Sequence, residues 1–381
     1  MSTSFTIGRI GGIPIRINIS LIVFLPILAW LIGSGAQITV YASIIDGITT
    51  TPINTAALQA GSTPWVVGAA AAIGLFVSVT IHELGHSWVA RRYGIVIQSI
   101  TLWIFGGVAS METIPKEWNR EFWIAIAGPI TSLTIGGLCF LALQMIPAGL
   151  PVVLFVVGWL AVMNVVLALF NLLPAFPMDG GRVFRALLAR WLSYTSATHL
   201  AARVGELFAV LFAIIGVLSF NVVLILVALF VYGAAVTEYR TVALTELLEG
   251  LTVADVIASD LPMVAADTPI DELSERMIRE RSPTVLVVEP ERVSEDGNVV
   301  GIATLDNITR TGKPTTVTVG DVVARETGTV SAEAAAMDAL MQLWSNRADQ
   351  LLVEKDGHVI GAVTGSDIIE VADLRKQAGI V

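Results

Sequence analysis

Residues 65–86 read WVVGAAAAIGLFVSVTIHELGH, a mostly apolar run that ends in the motif His82-Glu83-Leu84-Gly85-His86. On an α-helix the two histidines would share one face, about 6 Å apart along the axis, where both rings can bind one metal ion. Glu83 would lie beside them, placed to act as general base toward a water on that ion. Ionisable side chains are costly inside a bilayer unless they are paired or coordinated. The setting therefore favours a zinc site over a histidine pair that only holds helices together.

The composition is that of a polytopic membrane protein with a separate acidic tail. The chain has 381 residues, of which 55% are hydrophobic and only 14% are charged. Residues 1–250 hold 11 Lys+Arg and 10 Asp+Glu, whereas residues 251–381 hold 11 and 22. This division predicts two domains in different solvents, and the acidic tail argues against nucleic-acid binding. Cys139 is the only cysteine, so a disulfide framework and a cysteine metal cluster are excluded.

Six segments are long and apolar enough to be membrane spans. If all six cross the bilayer, the 11 basic residues of this half fall on one side, and the loops at 38–64, 147–150 and 219–221 hold none. The positive-inside rule then predicts a multi-pass cell-membrane protein whose N-terminus and tail are both cytoplasmic. The expected fold class is a polytopic α-helical membrane domain of six transmembrane helices, followed by a soluble α/β module. The predicted spans are 18–36, 66–90, 122–146, 151–173, 199–219 and 221–239.

A second polar segment follows the fourth span at the same predicted depth. Residues 171–182 read NLLPAFPMDGGR. Its prolines would end the helix, and Gly180-Gly181 would allow a turn that aims Asp179 back into the bundle. Asp179 would then complete a three-ligand zinc set with the two histidines. The alternative is that Asp179 is only a turn residue. Asn171 could donate a hydrogen bond to a developing oxyanion or bond across helices, and both readings stay open.

The tail contains an internal repeat. The segments at 253–256 and 319–322 open the two units, and those at 300–304 and 360–364 correspond to each other near their ends. Each unit is expected to be a helix, a strand, two short strands joined by an Asp-Gly turn (296–297 and 356–357), and a helix. Asp267-Thr268-Pro269 and Ser331 are expected to be helix N-termini. The predicted domains are 1–245 for the membrane part, 246–312 for the first repeat and 313–381 for the second.

The membrane half resembles the site-2 protease family of intramembrane zinc metalloproteases. The resemblance rests on HELGH at 82–86 and on NLLPAFPMDGG at 171–181. It implies one zinc ion per chain bound by His82, His86 and Asp179, with Glu83 as catalytic base and Asn171 as oxyanion donor. It further implies that residues 103–109 form a strand-like element next to the active site. The resemblance also implies the activity, which is regulated cleavage of a single-span membrane protein substrate that lies among membrane lipids.

The tail resembles a tandem cystathionine-beta-synthase (CBS) pair, a module that commonly binds adenine nucleotides. In that pattern a Thr/Ser and an Asp three residues later contact phosphate and ribose, and Thr364 and Asp367 fit it. The first repeat departs from the pattern, because Thr304 is followed at this distance by Asn307, with Asp306 one place early. The resemblance implies one ATP or AMP site and a homodimer through the CBS pair. The alternative is a pair that only dimerises and binds nothing.

Two other classes of function compete with the protease. A metal or ion transporter gated by the CBS pair would also place histidine and glutamate in membrane helices, with zinc as cargo, but the six spans show no inverted repeat. A non-catalytic nucleotide-sensing receptor would not need Glu83.

Overall fold

The computed structural model describes residues 4–104, 106–112, 115–257, 262–280, 284–289, 299–304, 317–322, 328–346 and 348–378. The chain forms two compact units, Met1–Arg240 and Thr241–Val381. The predicted domain boundary, 245/246, lies close to this division. Helix α9 (Val222–Leu247) crosses it as one continuous element.

The first unit is a bundle of helices with one sheet. Among the described residues, five helices are long and apolar enough to span a membrane. They are α4 (Thr63–Arg92), α5 (Trp118–Leu143), α6 (Pro151–Asn171), α8 (Tyr194–Leu218) and α9. The shorter helices are α1 (Ile19–Ile32), α2 (Gly35–Asp46), α3 (Thr55–Leu58) and α7 (Asp179–Leu188).

The first predicted span differs from the structure. Instead of one helix over 18–36, α1 and α2 meet at a bend of 70°, so the bundle has six spans only if this pair is counted as one. The break lies at Gly33 and Ser34, where Ser34 takes an extended conformation before α2 begins. Alone, the 14 residues of α1 reach only about 21 Å, short of a hydrocarbon core of about 30 Å.

A four-stranded sheet lies beside the bundle, in the order β1-β2-β3-β4. The strands β3 (Ile97–Trp103) and β4 (Gly106–Met111) confirm the strand-like element expected after the second span. The hairpin of β1 (Ser4–Ile10) and β2 (Ile13–Asn18) was not predicted. It turns at Gly11 and Gly12, whose positive φ angles of 58° and 85° suit a two-residue turn. Strand β2 pairs in parallel with β3, which leaves β4 at an edge of the sheet.

One apolar core joins α1, α2, α4 and α6. Trp159 of α6 is 2% exposed and packs edge-to-face on Tyr41 of α2, with ring centroids 6.0 Å apart. A second core, around Phe76 and Ile100, lies between α4 and the sheet. These contacts attach the bent pair and the sheet to α4, the helix that carries the histidine motif.

The second unit contains two three-stranded sheets, one from each repeat. After a 3₁₀ turn at Val253–Asp255, the first repeat has β5 (Met263–Ala265), α10 (Ile270–Glu280), β6 (Thr284–Val288) and β7 (Val299–Thr304). The second has α11 (Val319–Val322), β8 (Thr329–Ser331), α12 (Ala336–Asn346), β9 (Gln350–Lys355), β10 (His358–Thr364) and α13 (Gly365–Gln377). In both repeats a helix lies between the first strand and the antiparallel strand pair. The predicted order of elements omitted this helix, although the helix N-termini predicted at 267–269 and 331 implied one.

Two expectations about the repeats can be compared with the structure. Helix α10 begins directly after Asp267-Thr268-Pro269, as predicted. Ser331 was assigned wrongly, because it is the last residue of β8 and α12 begins only at Ala336. The Asp356-Gly357 turn joins β9 and β10 as predicted, with φ angles of 51° and 81°. The turn at 296–297, Asp306, Asn307 and the side chain of Thr304 lie outside the described residues.

We expect Trp159→Ala to destabilise the first unit by about 3–5 kcal/mol, because it empties a closely packed site between α2 and α6. The matched control is Trp65→Ala, which removes a side chain that is 59% exposed. Thermal unfolding of both variants in detergent, followed by circular dichroism, measures the difference. Equal melting temperatures would contradict the packing of α2 on α6.

Candidate active site

Helix α4 presents three ionisable side chains in its second half, where the sequence predicted them. His82 and His86 are buried, and Glu83 is half-buried. The rings of the two histidines are 4.8 Å apart, centroid to centroid, as their i, i+4 spacing requires. Such groups persist in an apolar helix only where partners satisfy them.

Asp179 reaches the histidines from the start of another helix. Helix α6 ends at Asn171, and the chain turns through Pro174 and a cis peptide bond between Phe176 and Pro177 before α7 begins at Asp179. The predicted turn at Gly180-Gly181 is wrong, since both glycines are the second and third residues of α7. Their role is close packing, because a Cβ on either would collide with the backbone of the 172–176 segment.

The three side chains converge on one point. Oδ2 of Asp179 lies 3.1 Å from Nε2 of His82 and 3.1 Å from Nε2 of His86, and the two nitrogens are also 3.1 Å apart. A tetrahedral zinc ion with bonds of about 2.0–2.1 Å separates its ligand atoms by about 3.3 Å. The donor set and its spacing therefore fit zinc, with one position left for water or substrate.

The outer nitrogens of both rings have partners on α5. Nδ1 of His86 donates to the carbonyl oxygen of Ile124 at 2.7 Å, which leaves Nε2 without a proton in the neutral ring. Nδ1 of His82 lies 2.8 Å from the hydroxyl of Ser132. Such outer contacts fix the orientation of metal-binding imidazoles and strengthen their affinity for the ion.

Gly128 of α5 faces the histidines directly. A Cβ at this position would overlap Nε2 of both rings, so the space where an ion would bind exists only because residue 128 has no side chain. Sequence reasoning missed Ile124, Gly128 and Ser132. The available signal was Gly128-Pro129 and the polar Ser132 inside an otherwise apolar span.

The three side chains open onto a cavity of about 320 Å³. Glu83, Asn171 and Arg182 line it with the metal-binding set. Its other lining residues come from α4, α6, α9, strands β3 and β4 and the segment before α7. Asn171 therefore lies at the site, and among the described residues no side-chain hydrogen bond distinguishes its two possible roles. Strand β4 forms one wall, and Gly107 lies so close to Glu83 that a Cβ there would collide with the glutamate.

Thr364 and Asp367 lie in the second unit, at the start of α13. The backbone N–H and the hydroxyl of Thr364 both donate to Oδ2 of Asp367, each at 2.8 Å, which makes a capping box. Similar hydrogen bonds join Thr252 to Asp255, where they lower the pKa of the carboxyl group. The Thr-x-x-Asp spacing thus has a structural use in this unit besides any role in ligand binding.

Comparisons with known proteins find relatives of both parts of the chain. The model of peptidase family M50 matches residues 70–149 and 148–214, and the CBS domain model matches residues 253–312. Zinc metalloprotease MJ0392 of Methanocaldococcus jannaschii is 33% identical over 377 residues, covering 98% of this chain and 97% of that protein. A putative zinc metalloprotease of Synechocystis, sll0528, is 29% identical over 390 residues, covering 97% and 96%. The solved structure of a site-2 protease from Methanocaldococcus jannaschii is 38% identical, with a TM-score of 0.43, and covers 62% of this chain and 96% of that one.

The chain belongs to peptidase family M50, the family of site-2 proteases. It is a zinc metalloprotease and a multi-pass membrane protein, and a CBS module follows its membrane helices. Membership of this family favours the protease over the transporter and the receptor that the sequence left as alternatives.

We expect Gly128→Ala to abolish zinc binding and proteolysis, because the methyl group would occupy the space between the two histidine nitrogens. Gly137→Ala is the matched control, since a Cβ on this glycine of the same helix meets nothing within 4 Å. Metal analysis of the purified variants, with circular dichroism as a check of folding, tests this expectation. Normal zinc content in Gly128→Ala would show that the ion binds elsewhere.

Proposed function

We propose that this protease hydrolyses a peptide bond within or near the transmembrane segment of a single-span membrane protein. The observation that carries the proposal is the position of the cavity. The metal-binding set and Glu83 open onto it from helix α4, which is long and apolar enough to lie within the bilayer. A substrate held among membrane lipids can then meet the site without leaving the membrane.

In this proposal His82, His86 and Asp179 hold one zinc ion per chain. When bound, zinc polarises the scissile carbonyl group and lowers the pKa of water at its open position. Glu83 takes the proton from the attacking water and passes it to the leaving nitrogen. Asn171, which also lines the cavity, donates its amide N–H to the oxygen that gains negative charge.

The edge of β4 is the proposed binding surface for the substrate backbone. A transmembrane helix hides its peptide bonds in its own hydrogen bonds, so it must unwind locally before cleavage. An unwound segment can regain those hydrogen bonds by pairing with an exposed strand edge. Strand β4 offers such an edge, and Gly107 brings it against Glu83.

We propose the orientation with the N-terminus and the CBS tail in the cytoplasm. The distribution of the 11 basic residues of the membrane half supports it, since the loops assigned to the other side hold none.

We propose that the CBS pair binds ATP or AMP through Thr364 and Asp367 and thereby changes the cleavage rate. A nucleotide that binds two arrangements of the protein unequally must shift their populations. The expected coupling is about 1–3 kcal/mol, or roughly 5- to 150-fold in affinity. A homodimer through the CBS pair is part of the same proposal.

We expect Glu83→Gln and Asp179→Asn to have different effects. Glu83→Gln removes the base without removing a metal ligand, so turnover should be lost while zinc stays bound. Asp179→Asn weakens a ligand, so zinc content and turnover should fall together. Both variants are assayed against a single-span substrate in detergent, with zinc measured on the same samples.

Glu117→Gln, which changes an exposed carboxylate, serves as the control for both substitutions. Chelator should abolish wild-type cleavage, and added zinc should restore it. Cleavage by Glu83→Gln at near the wild-type rate would remove Glu83 from the mechanism. Full zinc occupancy in Asp179→Asn would remove Asp179 from the ligand set.

We expect Asp367→Ala to weaken ATP or AMP binding by the full-length protein at least tenfold, the cost of about 1.4 kcal/mol for a lost ribose contact. Asp255→Ala breaks a similar capping box in the same unit and should leave the nucleotide Kd unchanged. Calorimetric titrations of both variants and the wild type make the comparison. An equal loss in both variants, or no binding by the wild type, would contradict the regulatory proposal.

A further inference from the structure

Arg185 is a buried cation in the membrane unit. It lies on α7 with 1% of its surface exposed. Its Nε and Nη2 atoms donate to Oε1 of Glu121 on α5, with Nε at 2.8 Å, and its Nη1 donates to Oε1 of Glu238 on α9 at 2.6 Å. One guanidinium group therefore joins three helices.

Two aromatic rings enclose the same guanidinium. Phe176, in the segment that leads into α7, has its ring centroid 5.0 Å from the guanidinium carbon. Tyr194, the first residue of α8, has its centroid at 4.8 Å. Arg185 thus contacts the chain before α7 and the chain after it, and holds both ends of this short helix by cation–π contacts.

The helices that Arg185 joins are those that shape the metal site. Asp179 is the first residue of α7, and Arg185 follows it by about 9 Å along the helix axis. Glu121 lies one turn before Ile124, whose carbonyl oxygen accepts the hydrogen bond from His86. The ion pair between Arg185 and Glu121 therefore links the element that supplies the carboxylate to the element that orients the histidines.

A buried ion pair of this kind is not explained by a gain in the free energy of folding. Removing charges from water costs several kcal/mol per ion, and apolar residues of similar volume often serve a fold as well or better. Here Oε2 of Glu121 is buried and has no hydrogen-bond partner among the described residues. The protein thus keeps the desolvation cost of these buried charges, and the ion pair holds α5 and α7 in one relative position.

We propose that Arg185, held by Glu121 and Glu238, is a positioning residue for the zinc site. It sets the place of Asp179 relative to the two histidines without touching the ion. Metal sites require ligand distances correct to within about 0.2 Å, so a small displacement of α7 would weaken the site before it unfolds the bundle. The proposal rests on the ligand set proposed above.

The two carboxylates should contribute unequally. Glu121 receives two of the three hydrogen bonds, and its side chain is 4% exposed, whereas that of Glu238 is 30% exposed. Water can replace part of the bond to Glu238 but not those to Glu121. Glu121→Gln should therefore weaken zinc binding more than Glu238→Gln.

The test compares zinc affinity in full-length variants by chelator competition, with the visible spectrum of bound Co²⁺ as a report of ligand geometry. Arg185→Met should raise the zinc Kd by about tenfold. This is the low end of the effect of removing a direct outer partner of a ligand, because Arg185 acts on Asp179 only through α7. Arg185→Lys keeps the charge but cannot fork between two carboxylates, so a smaller rise is expected. Arg190→Gln removes an exposed arginine just after α7 and should leave the Kd unchanged.

The triple variant Glu121→Gln, Arg185→Met, Glu238→Gln separates positioning from folding, since it leaves no unpaired buried charge. Its melting temperature should recover while its zinc Kd and Co²⁺ spectrum stay abnormal. Wild-type zinc binding by the folded triple variant, or by folded Arg185→Met, would overturn the proposal. Should both fail to fold, Arg185→Lys decides: an unchanged Kd and spectrum in that variant would overturn it. Retention of zinc by His86→Ala would instead contradict the ligand set itself.

Discussion

Three ligand atoms converge within about 3 Å of one another inside an apolar bundle, and the rest of the membrane unit is built around that point. Nε2 of each histidine and Oδ2 of Asp179 are electron-rich atoms at mutual distances of 3.1 Å. Three such atoms repel one another unless a cation lies between them. A bound metal ion would remove this repulsion, so the arrangement suits a metal site.

Close approach of α4 and α5 makes that point accessible to an ion. Gly85 lets the two helices touch at Thr131 and Ala127, and Gly128 leaves the ion's space open between the histidines. At the same contact α5 provides partners for the outer nitrogens of both rings. The same packing thus supplies the space between the histidines and the orientation of both rings.

The sequence predicted the parts of the site that a short pattern contains. The i, i+4 spacing of His82 and His86 is a property of one helix. The prolines before Asp179 indicate where another helix ends. Ile124, Ser132 and Arg185 act across helices, and their contacts depend on how the helices pack, which no local pattern contains. The bend at Gly33-Ser34 was missed for a similar reason, since an apolar window does not distinguish one span from two short helices. Gly11-Gly12 between two short strands was a local hairpin signal. It was overlooked because the apolar residues around it run directly into the first span.

Capping and nucleotide binding by Asp367 are compatible, because they use different atoms of one carboxylate. Both hydrogen bonds from Thr364 go to Oδ2. A carboxylate has about four acceptor sites on its two oxygens, so the other oxygen can still accept a ribose hydroxyl. The capping box would then hold the carboxylate in one orientation before a ligand arrives, which lowers the entropy lost on binding. A short helix start of this kind can therefore serve as a fixed structural element and as one side of a nucleotide site.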